Sequence, residues 1–413
     1  MVYQTPSGAR DLLPLDVIQK LSIEHQLDQV FQRWGYHRII TSTVEHLSTL
    51  IAGGAIEQST VIELQSPQSE PLGLRPELTA SIARAAVTRM ADMTHPQRLY
   101  YNANVFRHAD KGSHGGQQEY YQAGVELLGS GGSLADAEIL LLLADCLSSL
   151  NLHSWHVVLG DAGLTQSMLL PFPNQVRQQV RQAIAQLDRV ALEALPLSTE
   201  LRQRALLLLD LRGRPEDVLQ SVSQLELTAE QHQIVMALKS LIAILQETAQ
   251  TPEGKSVTIP SLILDLSLLK PFDYYTGVVF EVVGDTELGR QVIGQGGRYD
   301  NLLGVFHPDQ QSYPGIGFSL NIEALQQVLA ARHQLPQELP AADWLVVPAA
   351  PQAAAAAFAH AQKIRAATNL VRVEVHLAEP TAPAAIRQLA RSRQISRIAW
   401  IPVSGLPEIE ALN

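Results

Sequence analysis

LYYNANVFRHADKGSHGGQQEYYQAGVELLG, from Leu99 to Gly129, is the stretch on which the fold turns. Two runs of β-favouring residues, Leu99 to Arg107 and Glu119 to Leu128, flank a loop of glycines and polar residues. That pattern predicts a long hairpin. In the second run Gln122, Gly124 and Glu126 alternate, so a strand puts all three on one face. The glycine leaves room between an amide and a carboxylate. Arg107 closes the first strand beside the loop. An Arg, a Gln and a Glu on one sheet face can receive a small zwitterion: the cation faces its carboxylate and the acid faces its amine or an N–H. The same residues also describe an ordinary solvated sheet face, and this stretch alone does not choose.

The bounds around the hairpin are broad. A chain of 413 residues has length for two or three domains and a sizeable core. Its composition, 46% hydrophobic and 17% charged, is that of a globular protein. No apolar run reaches the roughly 20 residues that span a bilayer, and MVYQTPSGARDLLP has no signal-peptide apolar core. A cytoplasmic protein is expected. One cysteine, Cys146, leaves no internal disulfide framework and no cysteine-based zinc site. It lies on an apolar helix and reads as core. The net charge of −11 argues against nucleic acid as the main partner.

Outward from the hairpin, helical periodicity predicts a helix from Leu15 to Trp34, then a strand from His37 to Val44. Short strands follow at Val61–Leu64 and Leu72–Leu74. Pro76 predicts a helix start, with Arg75, Glu77 and Thr79 crowded at that corner, as caps or as a site. Ser133 is a candidate cap for a helix from Leu134 to Leu150. After a strand at Trp155–Leu159, a Gln-, Leu-, Arg- and Ala-rich helical insertion covers about residues 170–258. It holds EGKS at 253–256, but Ala249 stands where a phosphate-binding loop needs its first glycine, so that reading fails. Strands resume at Ser261–Leu268 and Thr276–Val283, and the corner between them carries Lys270, Asp273, Tyr274 and Tyr275. These are either site residues or a hydrogen-bonded core pair of tyrosines. Residues 313–329 read as a strand passing into a helix. Residues 1–330 form the expected core unit. Residues 340–413 form a small α/β unit of β-α-β-α-β order, with seven Lys and Arg against five Asp and Glu from residue 343 onward.

Five separated stretches now carry a resemblance. LRPELT (74–79), FRH (106–108) with QAGVE (122–126), FDYYTGVVFE (272–281), GGRYD (296–300) and PGIGFSLNIEA (314–324) resemble, in order, the signature segments of the histidyl-tRNA synthetase family. The FRH and QAGVE pair is similar to motif 2 of class II synthetases and the last stretch to motif 3. The resemblance implies an α+β fold: a class II aminoacyl-tRNA synthetase-like antiparallel sheet core of six strands, a helical insertion, and a small C-terminal α/β domain, here a degenerate anticodon-binding domain. It also implies a histidine pocket. Glu77 and Thr79 would take the amino group with Gln122 near the amino acid, Glu126 and Tyr275 the imidazole nitrogens, Tyr274 the wall, and Arg107 the carboxylate or, in an active synthetase, the ATP α-phosphate. Lys270 and Arg298 would lie beside the pocket.

The departures fall on the ATP side. Adenylate formation needs cations around a polyphosphate. Ala324 stands where motif 3 has its arginine, Ala109 where motif 2 has a glutamate, and no arginine occurs between Arg107 and Glu126. Lys270 replaces an arginine ahead of the two tyrosines, and a lysine lacks the planar fork. Ser42 replaces the dimer-interface proline of motif 1. This combination resembles the branch of the family formed by the regulatory subunits of ATP phosphoribosyltransferase. It implies no catalytic residues, no cofactor and no metal. The implied partners are the short-form catalytic subunit and L-histidine as effector, in a homodimer within a hetero-oligomer, with no tRNA. An active histidyl-tRNA synthetase and a stand-alone histidine or RNA sensor are the alternatives.

Overall fold

The first helix, α1, runs from Pro14 to Arg33 in the computed structural model, which describes residues 4–54, 56–65, 70–108, 116–250, 258–268, 274–286, 289–367, 370–378 and 382–412. Pro14 sits in the first turn, where no N–H is needed, and the Asp16 carboxylate accepts the Leu13 N–H at 3.0 Å. The stretch expected as one strand from His37 to Val44 is not one. Only His37–Arg38 (β1) pairs there, and Val44–His46 (β2) belongs to another sheet. The reason is Arg75, whose guanidinium donates to the Thr41 and Ser42 carbonyls at 2.9 and 3.3 Å and so takes acceptors that a ladder would use. Helix α2 (Leu47–Ile51) and strands β3 (Glu63–Leu64) and β4 (Leu72–Leu74) follow, and β2, β4 and β3 form a three-stranded sheet. The next helix, α3 (Thr79–Thr88), starts three residues later than Pro76 suggests. Glu77 folds back over that start instead and caps it.

Strands β5 (Gln97–Phe106) and β6 (Glu119–Leu128) make the expected long hairpin, with Tyr101 opposite Gly124. Helix α4 (Gly132–Ser149) is not capped by Ser133, whose hydroxyl donates to the Ala237 carbonyl. Then come β7 (Trp155–Asp161) and α5 (Ala162–Leu169), with Asp161 capping α5 through the Leu164 N–H. The helical insertion holds α6 (Asn174–Ala185), α7 (Arg189–Ala194), α8 (Thr199–Asp210), the two-residue strand β8 (Arg212–Gly213), α9 (Pro215–Ser223) and α10 (Ala229–Gln250). The EGKS stretch lies outside the described residues. Strand β9 (Leu262–Asp265) is shorter than expected because the Asp265 carboxylate turns to accept the Ser267 N–H at 2.9 Å. Strands β10 (Val278–Thr286) and β11 (Gly289–Arg298), helix α11 (Leu302–Phe306), strand β12 (Gly315–Asn321) and helix α12 (Ile322–Ala331) complete the unit.

The large sheet has the order β1-β5-β6-β12-β11-β10-β7-β9-β8. The six strands from β5 to β7 are mutually antiparallel, as the family resemblance implies, and β1 and β9 add to them in parallel. Alternation along each strand splits the core. Tyr100, Val125, Phe318 and Phe280 face α1, α4 and α12; Leu99, Tyr101, Val105 and Val279 share the other side with α2, α3 and α11. Cys146 lies fully buried on α4, where burial pushes its thiol well up and keeps it inert.

The chain divides into two units, Met1–Pro336 and Gln337–Asn413. The second holds β13 (Trp344–Pro348), α13 (Ala354–Ala367), β14 (Val373–Val375), α14 (Pro383–Ser392), β15 (Arg397–Ile401) and β16 (Glu408–Ala411). Its sheet, β14-β13-β15-β16, gains a fourth strand that the sequence pattern does not announce, because EIEA is short and half of it is glutamate. Ala357 and Ala361 of α13 pack on Val346 and Ala399, while Ile386 and Ala390 of α14 pack on the opposite face against Leu345 and Ile398. The alanine run is thus packing surface.

Candidate functional site

One cleft, open at its mouth, collects Glu77, Thr79, Arg107, Gln122, Glu126, Tyr274 and Tyr275. All seven expected pocket residues meet there, although they lie up to two hundred positions apart. Three strands build the floor. Gln122 and Glu126 come from β6 with Gly124 between them, and β12 presents Gly317 opposite Glu126. Glycine is required at this register: a Cβ on Gly317 would collide with the Glu126 carboxylate, and one on Gly124 would lie 2.5 Å from the Tyr101 hydroxyl. On β11, a Cβ on Gly297 would lie 2.7 Å from the Tyr275 ring. The missing side chains are the volume of the pocket.

The rim comes from the turn before α3. Glu77 is buried, and its carboxylate accepts the Thr79 and Ala80 N–H groups at 2.5 and 2.8 Å. Burial raises its pKa; the helix N–H donors and the Arg107 guanidinium pull it back. Arg107 Nε donates to the Pro76 carbonyl at 2.8 Å, and among the described residues its other N–H groups are left to meet an anion. Capping and ligand binding are therefore compatible for Glu77, since each carboxylate oxygen has a second lone pair.

Glu126 is the deepest ionisable group, 2% exposed. Thr79 Oγ1 donates to its Oε1 at 2.8 Å, and the Tyr299 hydroxyl donates to its Oε2. Burial nevertheless pushes its pKa up to about 8, with the neighbouring Glu77 adding to the rise. At neutral pH it is a neutral acid, able to donate one proton or accept. Tyr274 and Tyr275 lie against each other with ring centroids 4.5 Å apart and planes tilted by 37°, and burial raises both phenols, so their hydroxyls stay protonated.

Arg298 does not line the cavity. Its guanidinium is fixed by Asp136 of α4, with Nε at 3.0 Å, and by Asp300 at 3.1 Å. It acts one residue away, anchoring the backbone from which Tyr299 reaches Glu126. Lys270, Asp273 and Ala109 lie outside the described residues. Tyr101 and Tyr299 are pocket residues that sequence reasoning missed. Tyr299 stands inside the GGRYD signature and was open to discovery; Tyr101 needed the β5–β6 register, which puts it across from Gly124. At the motif 3-like stretch, Ala324 is buried, its N–H capped by the Asn321 side chain at 2.9 Å. Glu323 turns inward to accept the Tyr121 N–H at 3.0 Å. Among the described residues no group of three or more His, Cys, Asp or Glu is placed to hold a metal, and no helix is long and apolar enough to cross a membrane.

Comparison with known proteins matches this architecture. The sequence profile described as Histidyl-tRNA synthetase matches residues 8–325. The ATP phosphoribosyltransferase regulatory subunit of Nostoc sp. strain PCC 7120 is 58% identical over 413 residues, covering all of both chains. Among solved structures, the ATP phosphoribosyltransferase regulatory subunit/histidyl-tRNA synthetase of Bacillus halodurans superposes with a TM-score of 0.79 at 28% identity, over 97% of this chain and 99% of that one. The histidyl-tRNA synthetase of Nostoc sp. PCC 7120 shares the fold, with a TM-score of 0.76 at 21% identity over 100% of this chain and 97% of its own.

Proposed function

The chain belongs to the family of ATP phosphoribosyltransferase regulatory subunits, and we propose that it binds the short-form catalytic subunit of that enzyme, activates it, and conveys feedback by histidine held in the pocket described above. Its role is non-catalytic and belongs to histidine biosynthesis. The observation that carries the histidine reading is the convergence of the seven residues on one cavity, with a cation, two buried carboxyls and hydroxyls facing inward. Arg107 matches an amino-acid carboxylate, Glu77 and Thr79 the ammonium, and Glu126 and Tyr275 an imidazole, whose two nitrogens need one donor and one acceptor. Coupling requires only that histidine prefer one state of the assembly over another.

Ala324 speaks against an active synthetase, since its methyl group cannot stabilise charge on a transferring phosphate. One strain, Nostoc sp. PCC 7120, holds both a 58% identical regulatory subunit and a separate 21% identical synthetase, and this chain sides with the former. The assembly we propose is a cytoplasmic homodimer within a hetero-oligomer. In the C-terminal unit, the near balance of charge supports a degenerate anticodon-binding domain that does not read tRNA.

The test is the ATP phosphoribosyltransferase rate of the short-form catalytic subunit, with and without this chain, across a histidine titration. The expected result is a higher rate that histidine suppresses. An unchanged rate together with histidine-dependent ATP–pyrophosphate exchange would instead establish a synthetase.

A further inference from the structure

The segment ahead of α1 does not line the pocket, yet it lies against the hairpin that supplies Arg107 and Gln122. Strand β6 outruns its neighbour β12. Their pairing ends where Asn321 meets Gln122, and residues 118–121 continue past it. The N–H groups there need other acceptors. Glu323 takes the Tyr121 N–H on both carboxylate oxygens, at 3.0 and 3.1 Å, and accepts the Gln117 side-chain amide at 3.2 Å. The Gly8 carbonyl takes the Gln118 N–H at 2.8 Å. Two residues further on, the Arg10 guanidinium lies 3.9 Å from Glu323. Residues 8–10 therefore form a strap over the extension of β6, tied at both ends.

The seat of the strap is close. Gly8 has a φ of +84°, and a Cβ there would lie 2.7 Å from the Gly116 carbonyl oxygen and 2.8 Å from Gln118 Cγ. Only glycine combines that backbone conformation with that approach. On its other side Gln118 holds Arg107, whose N–H donates to the Gln118 carbonyl at 2.9 Å. One residue thus carries the strap on its N–H and Arg107 on its carbonyl. The Arg107 side chain has a separate anchor, Nε to the Pro76 carbonyl. With the backbone held from β6 and Nε held from the turn before α3, the direction of the other guanidinium N–H groups is set.

We propose that the strap, Gly8 to Arg10, is a positioning element of the pocket: it holds Gln118, and through Gln118 it aims the Arg107 guanidinium at the carboxylate of the bound amino acid. The inference rests on the histidine reading above. It gives the two ends of the ligand different supports. Glu126 is held by Thr79 and Tyr299, which the strap does not touch. The carboxylate end depends on a segment that is itself mostly exposed, since Gln4 to Ser7 and Ala9 to Asp11 all face solvent.

The experiment is Gly8→Ala in the full chain, which forces a methyl group between the strap and the hairpin. Calorimetry measures the affinity for histidine and for histidinol, in which a hydroxymethyl group replaces the carboxylate. The expected result is about tenfold weaker binding of histidine, the size of one hydrogen bond, with histidinol binding unchanged. Arg10→Ala frees the other end of the strap without adding bulk and should give the same split at about threefold, as befits a half-exposed ion pair. Unchanged histidine affinity in both variants overturns the proposal. So does an equal loss for histidine and histidinol, because a merely structural role weakens both ligands alike. Failure of the wild-type chain to bind histidine overturns the pocket reading itself, and this inference with it.

Discussion

Replacing Glu126 by Gln should change how the stability of the core unit depends on pH. Burial lifts the Glu126 carboxyl from its ordinary 4.5 to about 8. Between those values the folded chain holds a proton that the unfolded chain has released, so stability falls as pH rises through this interval. Each pH unit inside it costs the folded state about 1.4 kcal/mol, and the whole interval about 5 kcal/mol. Below 4.5 both states carry the proton and nothing is lost; above 8 the loss is complete. Glu126→Gln is a permanently neutral side chain of the same shape and escapes this loss. Urea denaturation of both proteins at pH 5, 6.5 and 8, followed by circular dichroism, reads the difference. Other groups that titrate in the same window, such as Asp161 with a pKa of about 6, contribute nearly equally to both proteins and cancel. The stability of the wild type relative to the variant should therefore drop by about 4 kcal/mol from pH 5 to pH 8. A difference that stays flat across that range would refute the neutral-acid description of Glu126.

Two further substitutions probe the supports of the pocket. Asp136→Asn leaves the buried Arg298 guanidinium with Asp300 alone, and losing one partner of a buried pair should cost about 3 kcal/mol in the same denaturation assay; an unchanged midpoint would show that the pair holds nothing in place. Gly317→Ala puts a methyl group against the Glu126 carboxylate and the Val125 carbonyl, so thermal melting should show a destabilisation of about 1–3 kcal/mol and calorimetry the loss of histidine binding, whereas unaltered binding would mean that Glu126 moves freely.

The local patterns in the sequence carried far. The alternation of Gln122, Gly124 and Glu126 was enough to put three residues on one strand face, because the period of a strand is fixed by backbone geometry. Periodic apolar residues marked α1 for the same reason, and ordered signature segments carried the class II fold and the seven pocket residues. Where side chains took over from the backbone, local reading failed. Arg75 captured the Thr41 and Ser42 carbonyls and broke an expected strand; Glu77 folded back to cap α3 and delayed its start; Ser133 turned to Ala237 on α10.

Composition and ordered motifs by themselves determined the fold class, the family and the identities of seven of the residues that line the cavity, since all of these depend on residue type and near spacing. Only the tertiary structure decided what those residues can do. Strand register set Tyr101 over Gly124 and Gly317 against Glu126; the meeting of α3 with β6 gave Glu126 its Thr79 partner; and burial beneath both turned an ordinary carboxylate into a neutral acid at pH 7. Dehydration and long-range pairing depend on what the rest of the chain brings near, and no short stretch of sequence holds that information.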